Sequence, residues 1–281
     1  MPRTPTGSRS AQAGPAAGPS ASTTEAALAA LRKAERALRV LGAPETAGAA
    51  GALLQAAAAL DALAGHDWSA LAEELRAQAP AVAAARRAAL ATGLRAACDA
   101  AGRAARVVTT TPLELRIAPL AVVFDDGLTQ AELRFGTLAI ARCAAEPAAL
   151  LAAHAEACAG LAARGLEPAA LFDALHAVWT QRGGGWQDLA SALPALCLGT
   201  QTADFARDPV AAHFQPYPRV QLVWDLARMR RARAFTRNGL RLSLAPATGG
   251  ATRDKDLVLF LEDEEGQGQW HRSFSFAPEA S

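Results

Sequence analysis

Apolar positions recur at three- and four-residue spacing over most of the first hundred residues, with alanine or charged residues between them. Ala27, Leu31, Ala34, Leu38 and Leu41 form one such seam. It follows Ser22-Thr-Thr-Glu25, which has the spacing of a capping box, so a helix is predicted over 22–41. Gly42-Ala-Pro44 ends it. Leu53, Ala56, Leu60 and Leu63 mark a second helix over 49–63, closed by Gly65-His-Asp67. Leu71, Leu75, Val82, Leu90 and Leu94 mark a third over 68–106. Pro80 should kink or restart it, because proline lacks the backbone donor and crowds the preceding turn. The three together read as an antiparallel bundle or a coiled-coil hairpin, with heptads diluted by alanine.

The pattern changes at Val107. Val-Val-Thr-Thr-Thr-Pro is β-branched, Leu113-Glu-Leu-Arg-Ile117 alternates, and Leu120-Ala-Val-Val-Phe124 is a short apolar run before Asp125-Asp-Gly127. Both segments read as strands, and a domain boundary is expected here. Thr129-Gln-Ala-Glu132 has capping-box spacing again, which predicts a helix to about residue 144. Glu146-Pro147 and Glu167-Pro168 open two more. In the latter, Leu171, Phe172, Leu175, Val178 and Trp179 share one face. Gly183-Gly-Gly185 breaks it, and a short helix from Trp186 is expected to stop at Pro194. Residues 199–218 read as irregular, with a short helix near 208–213. Pro218 opens a helix expected to run to Arg237 and to stop at Asn238-Gly239. Strands are expected at 240–244, 256–261 and 270–276, with an acidic loop between the last two. The fold class is therefore α+β, mostly α. It comprises a disordered tail over 1–21, an alanine-rich three-helix region over 22–107, and a mixed domain over 108–281 with a small antiparallel sheet.

Composition adds three constraints. Half the residues are hydrophobic (51%), but alanine supplies much of that share, favouring helix while burying little area. Lys33 and Lys255 are the only lysines, so arginine abundance reflects coding bias before it reflects ligand chemistry. The net charge of +1 argues against a protein that coats nucleic acid, yet the charge is uneven. Residues 228–253 carry seven basic and no acidic side chains, and 254–281 carry two basic and seven acidic. Cys98, Cys143, Cys158 and Cys197 are scattered in apolar contexts, as expected of reduced thiols in a cytoplasmic protein. No segment has the character of a signal peptide or a membrane span.

The best chemical lead is the basic run Arg228, Arg230, Arg231, Arg233 and Arg237. On one helix Arg230, Arg233 and Arg237 would share a face, and the hairpin that follows would stand where a winged-helix module has its wing. The alternative is pairing with the acidic loop 262–265, which argues against a wing facing DNA. Other constellations are weaker. Asp254-Lys-Asp256 and Asp125-Asp126 lack a partner acid for a nuclease. His154 and Cys158 are four apart, but a zinc site would also need His176 and Cys143 to converge. Gly183-Gly-Gly-Trp186 lacks the lysine of a phosphate loop. No catalytic residue, metal ligand or cofactor site is assigned, and the sequence leans against an enzyme. The expectation is an accessory or assembly subunit of a larger bacterial complex. It would bind a protein partner or itself through the front helices; the alternatives are DNA contact by the arginines, and an enzyme whose site is assembled from residues distant in the sequence.

Overall fold

The computed structural model describes residues 21–63, 67–263 and 265–279. The expected tail over 1–21 falls almost wholly outside them, as do the side chains of the first capping box. The chain forms two compact units. The first takes the residues up to Pro44 and Ala49–Val82; the second takes Glu45–Gly48 and the residues from Ala83 onward. The texture of the sequence changes at Val107, whereas the contacts change at Val82, inside a helix.

The first unit holds α1 (Ala21–Val40), α2 (Ala49–Asp61) and the first part of α3 (Ser69–Ala100). Its core is Ala34, Ala37, Ala49, Leu53, Ala56, Ala57, Leu60, Ala72, Leu75, Ala79 and Val82. α3 runs through Pro80, since Ala79 and Val82 are buried on either side of it and packing holds the turn. It ends earlier than expected. Gly102 takes φ +63°, Arg103 N–H donates to Cys98 O, and Gly102 N–H donates to Asp99 O. These two bonds are the Schellman arrangement, which a glycine in the left-handed region permits.

Sheet A of the second unit is a five-stranded antiparallel meander in sequence order: β1 (Ala105–Thr110), β2 (Leu113–Ile117), β3 (Leu120–Phe124), β4 (Gln130–Phe135) and β5 (Leu138–Ala144). The helix expected from Thr129 is thus a β-hairpin. Thr129 does not cap a helix: its N–H and hydroxyl both bond to the Asp125 carboxylate, at 2.7 and 2.6 Å, and close the β3–β4 turn. Ala131, Leu133 and Phe135 are buried at period two, and Glu132 lies opposite Arg142 and pairs with it at 2.8 Å.

α4 (Pro147–Arg164) and α5 (Pro168–Gln181) follow as read, and Leu171, Phe172, Leu175 and Val178 are all buried. α6 (Leu189–Gly199) passes through Pro194 instead of stopping there, because Leu189, Ala192 and Leu196 hold one buried stripe across the proline. β6 (Gln187–Asp188) precedes it, and the short helix of the next stretch is α7 (Ala203–Arg207), not 208–213. α8 (Arg219–Arg231) leads to β7 (Thr236–Arg237), β8 (Leu240–Pro246), β9 (Leu259–Glu262) and β10 (Gly268–Pro278). Sheet B is ordered β6-β10-β8-β7, with β9 also on β10. α+β therefore holds, with two antiparallel sheets in place of one small one.

Candidate functional site

The arginine run is divided by the fold. α8 stops at Arg231, six residues short of the expected end. Arg233 lies at φ +52°, its N–H donates to Arg230 O, and Ala234 N–H donates to Met229 O. This is a Schellman stop with arginine where glycine is usual. Asn238-Gly239, read as the helix stop, is instead the two-residue turn of the β7–β8 hairpin. Both residues have positive φ, which a type I′ turn requires. The shared face of Arg230, Arg233 and Arg237 does not form.

The five arginines go to four different places. Arg228 bonds to Glu167 Oε1 (3.0 Å) and Leu166 O (3.3 Å) and lies 4.0 Å from Asp225 Oδ1, closing the α4–α5 corner. Arg237, on β7, pairs with Asp173 of α5 at 2.9 Å. Arg230 and Arg231 line a cleft of about 280 Å³ with Ala227, Glu262, Asp263 and Glu265. Arg233 is exposed at the helix stop. The acidic turn carries its own cation as well. Glu262 is buried and accepts from Arg116 Nη2 at 2.8 Å and Nη1 at 3.1 Å, and from the Gly136 amide at 2.8 Å.

The rest of α8 is enclosed, with Gln221 through Ala227 and Met229 all buried. Within it sits a polar cluster that the apolar context conceals in the sequence. Asp225 accepts from Tyr217 OH (2.7 Å), the Leu166 amide (3.0 Å) and Gln221 Nε2 (3.2 Å), and Gln221 also donates to Leu161 O (3.0 Å). Burial raises the Asp225 pKa above the ordinary aspartate value against the lowering pull of these donors and of Arg228. The Tyr217 phenol is driven far up by burial and by the neighbouring carboxylate. A cleft of about 490 Å³ opens beside Tyr217, lined also by Arg164, Gly165, Leu166, Thr200 and Phe214. The only sequence signal for this cluster is the four-residue spacing of Gln221 and Asp225 inside an apolar run.

The remaining candidates resolve into structural roles. His154 is buried; its Nε2 donates to Ile117 O (2.7 Å), so its Nδ1 accepts from Arg103, with Cys158 Sγ 3.8 Å away. Burial lowers the His154 pKa against the raising pull of the Ile117 carbonyl. His176 stacks on Trp179 and meets Phe276 edge-on. Among the described residues, no group of three His, Cys, Asp or Glu side chains could hold a metal ion. The glycines 183–185 all have positive φ, and Gly185 O accepts from Trp179 Nε1 at 2.6 Å. Asp254 caps the Asp256 amide, and the Lys255 ammonium lies 3.9 Å over the Trp270 ring. The four cysteines are free thiols. No helix among the described residues is long and apolar enough to cross a membrane. No protein-family model, curated protein or solved structure matches the chain.

Proposed function

We propose that the protein is a non-catalytic interaction protein, an accessory or assembly subunit that docks a protein partner through its front helices. The supporting observation is an inversion on α1. The residues it buries are Ala30, Ala34 and Ala37, while Leu28, Leu31 and Leu38 are 50%, 37% and 43% exposed. Leu54 of α2 is exposed as well. Burying a leucine is worth about 1.5–3 kcal/mol, so this ridge holds back a stabilisation that a partner can supply. In this reading the three front helices act as a bundle or hairpin in the cytoplasm. The dispersal of the five arginines, four of them beside acidic side chains of the same unit, favours protein over nucleic acid as the partner.

The test is the mass of the protein at its natural level in its own cells. Leu28→Gln, Leu31→Gln and Leu38→Gln together should release the chain from a larger assembly while its melting temperature stays within error. A wild-type chain that runs free of any assembly contradicts the reading. So does a triple variant that stays assembled.

A further inference from the structure

β1 is the outer strand of sheet A and, among the described residues, pairs only with β2. The opposite edge, β5, is packed by α4 and α8. All six residues of β1 are exposed, with Val107 at 54% and Val108 at 46%. Among the described residues, no backbone hydrogen bond reaches β1 from any strand or loop other than its β2 neighbour. The sequence Ala-Arg-Val-Val-Thr-Thr is β-branched, has no proline and carries one charge. It thus has little of the proline and charge that usually guard an edge against pairing.

We propose that this edge pairs antiparallel with β1 of a second copy of the chain, joining two five-stranded sheets about a two-fold axis. This interface is separate from the leucine ridge on α1 and does not depend on it. The register with β2 selects both the partner and the alignment. Ala105, Val107 and Thr110 lie opposite Ile117, Leu115 and Leu113, on the face that packs inward. Arg106 and Thr109 lie opposite Arg116 and Glu114, on the other face. The register skips Val108, so a bulge there reverses the face alternation halfway along the strand. In a regular strand, two-fold pairing aligns residues of the same sequence parity. With one bulge, the alignment that matches faces is Ala105 to Thr110, Arg106 to Thr109 and Val107 to Val108 of the second copy. Shifting it by one residue sets inward-facing side chains against outward-facing ones.

Charge agrees with that alignment. Arg106 faces Thr109 of the other copy and not its own counterpart, so the two guanidinium groups stay apart. Beyond Thr109 in the same row lies Glu114, half-buried and with no ion pair or side-chain hydrogen bond among the described residues. Two strand spacings amount to about 9–10 Å, within the combined reach of an arginine and a glutamate. The exposed bond of Arg106 to Glu265 O (2.5 Å) is then exchanged for a carboxylate. On the inward face Val107 lines a cleft of about 320 Å³ with Ala91, Leu94, Ala105 and Leu115, which the facing valine narrows.

The experiment is sedimentation equilibrium of the full chain over a dilution series, with two variants. The wild type should sediment as two copies. Val108→Lys sets a charge in the centre of the pairing and should weaken association by about tenfold or more without changing the circular dichroism. Arg106→Glu should weaken it too, and adding Glu114→Arg should restore it; this swap decides the matter if Val108→Lys unfolds the chain. A mixture of Val107→Cys and Val108→Cys chains should cross-link on oxidation. A wild-type chain that sediments as one copy at every concentration overturns the proposal. So does a dimer untouched by Val108→Lys and by the charge swap; if that dimer dissociates on Leu31→Gln, the ridge holds it instead.

Discussion

The two units bury different side chains. In the first, seven of the eleven core residues are alanine. In the second, Leu and Phe dominate a core shared by two sheets and five helices, and polar clusters such as Arg116–Glu262 and Asp225–Tyr217 are locked into it. A buried alanine removes a single methyl from water, and each further methylene is worth about 0.8 kcal/mol. The first unit therefore rests on helix propensity and close approach, and the second on packing. A unit of the first kind, with leucines on its outside, gains most from a partner.

The largest difference between the units should appear where a buried charge loses its mate. Arg116→Ala leaves the Glu262 carboxylate uncompensated and should cost the second unit about 3–5 kcal/mol in urea unfolding. Nothing among the described residues of the first unit has a counterpart of that size. Leu175→Ala should cost about 2–5 kcal/mol, since the site is fully buried. A cost near zero for either would dissolve the contrast.

Acid titration sharpens it further. The raised pKa of Asp225 means that the folded state holds the proton more tightly than the unfolded one. Its contribution to stability is fully present below the unfolded value of 3.8 and declines as pH rises through its native pKa. Asp125 and Glu132 have lowered pKa values, from donors at Thr129 and Gln130 and from Arg134 and Arg142 respectively, although burial opposes both. Their contributions are present above 3.8 and 4.5 and are lost as pH falls through the native values. The stability of the wild type relative to Asp225→Asn should therefore fall as pH rises above about 4, measured by urea midpoints. A relative stability that rises instead would show that the donors outweigh burial.

Much of this was legible in the sequence. The face of Leu171, Phe172, Leu175 and Val178 is all buried, and the strands beginning at Leu113 and Leu120 form where alternation and a short apolar run set them. The misreadings have a shared cause: a local signal with two structural uses. Thr129-Gln-Ala-Glu132 fits a capping box, yet the Asp125 carboxylate takes the threonine for a turn. The alternation of Ala131, Leu133 and Phe135 was the competing signal. Asn238-Gly239 serves a helix stop or a hairpin turn, and the pairing of Arg237 with Leu240 makes it the turn. The real stop, at Arg233, has no glycine to announce it. The Asp225 cluster was hidden because its donors, Leu166 and Tyr217, are far from it or on a loop.

That stop gives a smaller effect of opposite sign. Arg233 occupies a left-handed conformation that costs a non-glycine residue about 1–2 kcal/mol, so Arg233→Gly should stabilise the second unit by about 1 kcal/mol. A loss would mean that the guanidinium itself makes a contact that matters. The smallest effect belongs to the first unit. Leu28→Ala should change the stability of the isolated chain by less than about 0.5 kcal/mol, because half of its surface is already exposed.

Hydrogen exchange compares the two units in a single measurement, on the isolated chain and on the chain within its native assembly. In isolation, amides of α1 should exchange far faster than those of α8, whose residues 221–227 are enclosed. In the assembly, α1 should gain at least about tenfold protection, with α8 unchanged. If α1 in the isolated chain is already as protected as α8, or gains nothing on assembly, the leucine ridge is not a docking surface and the account is wrong.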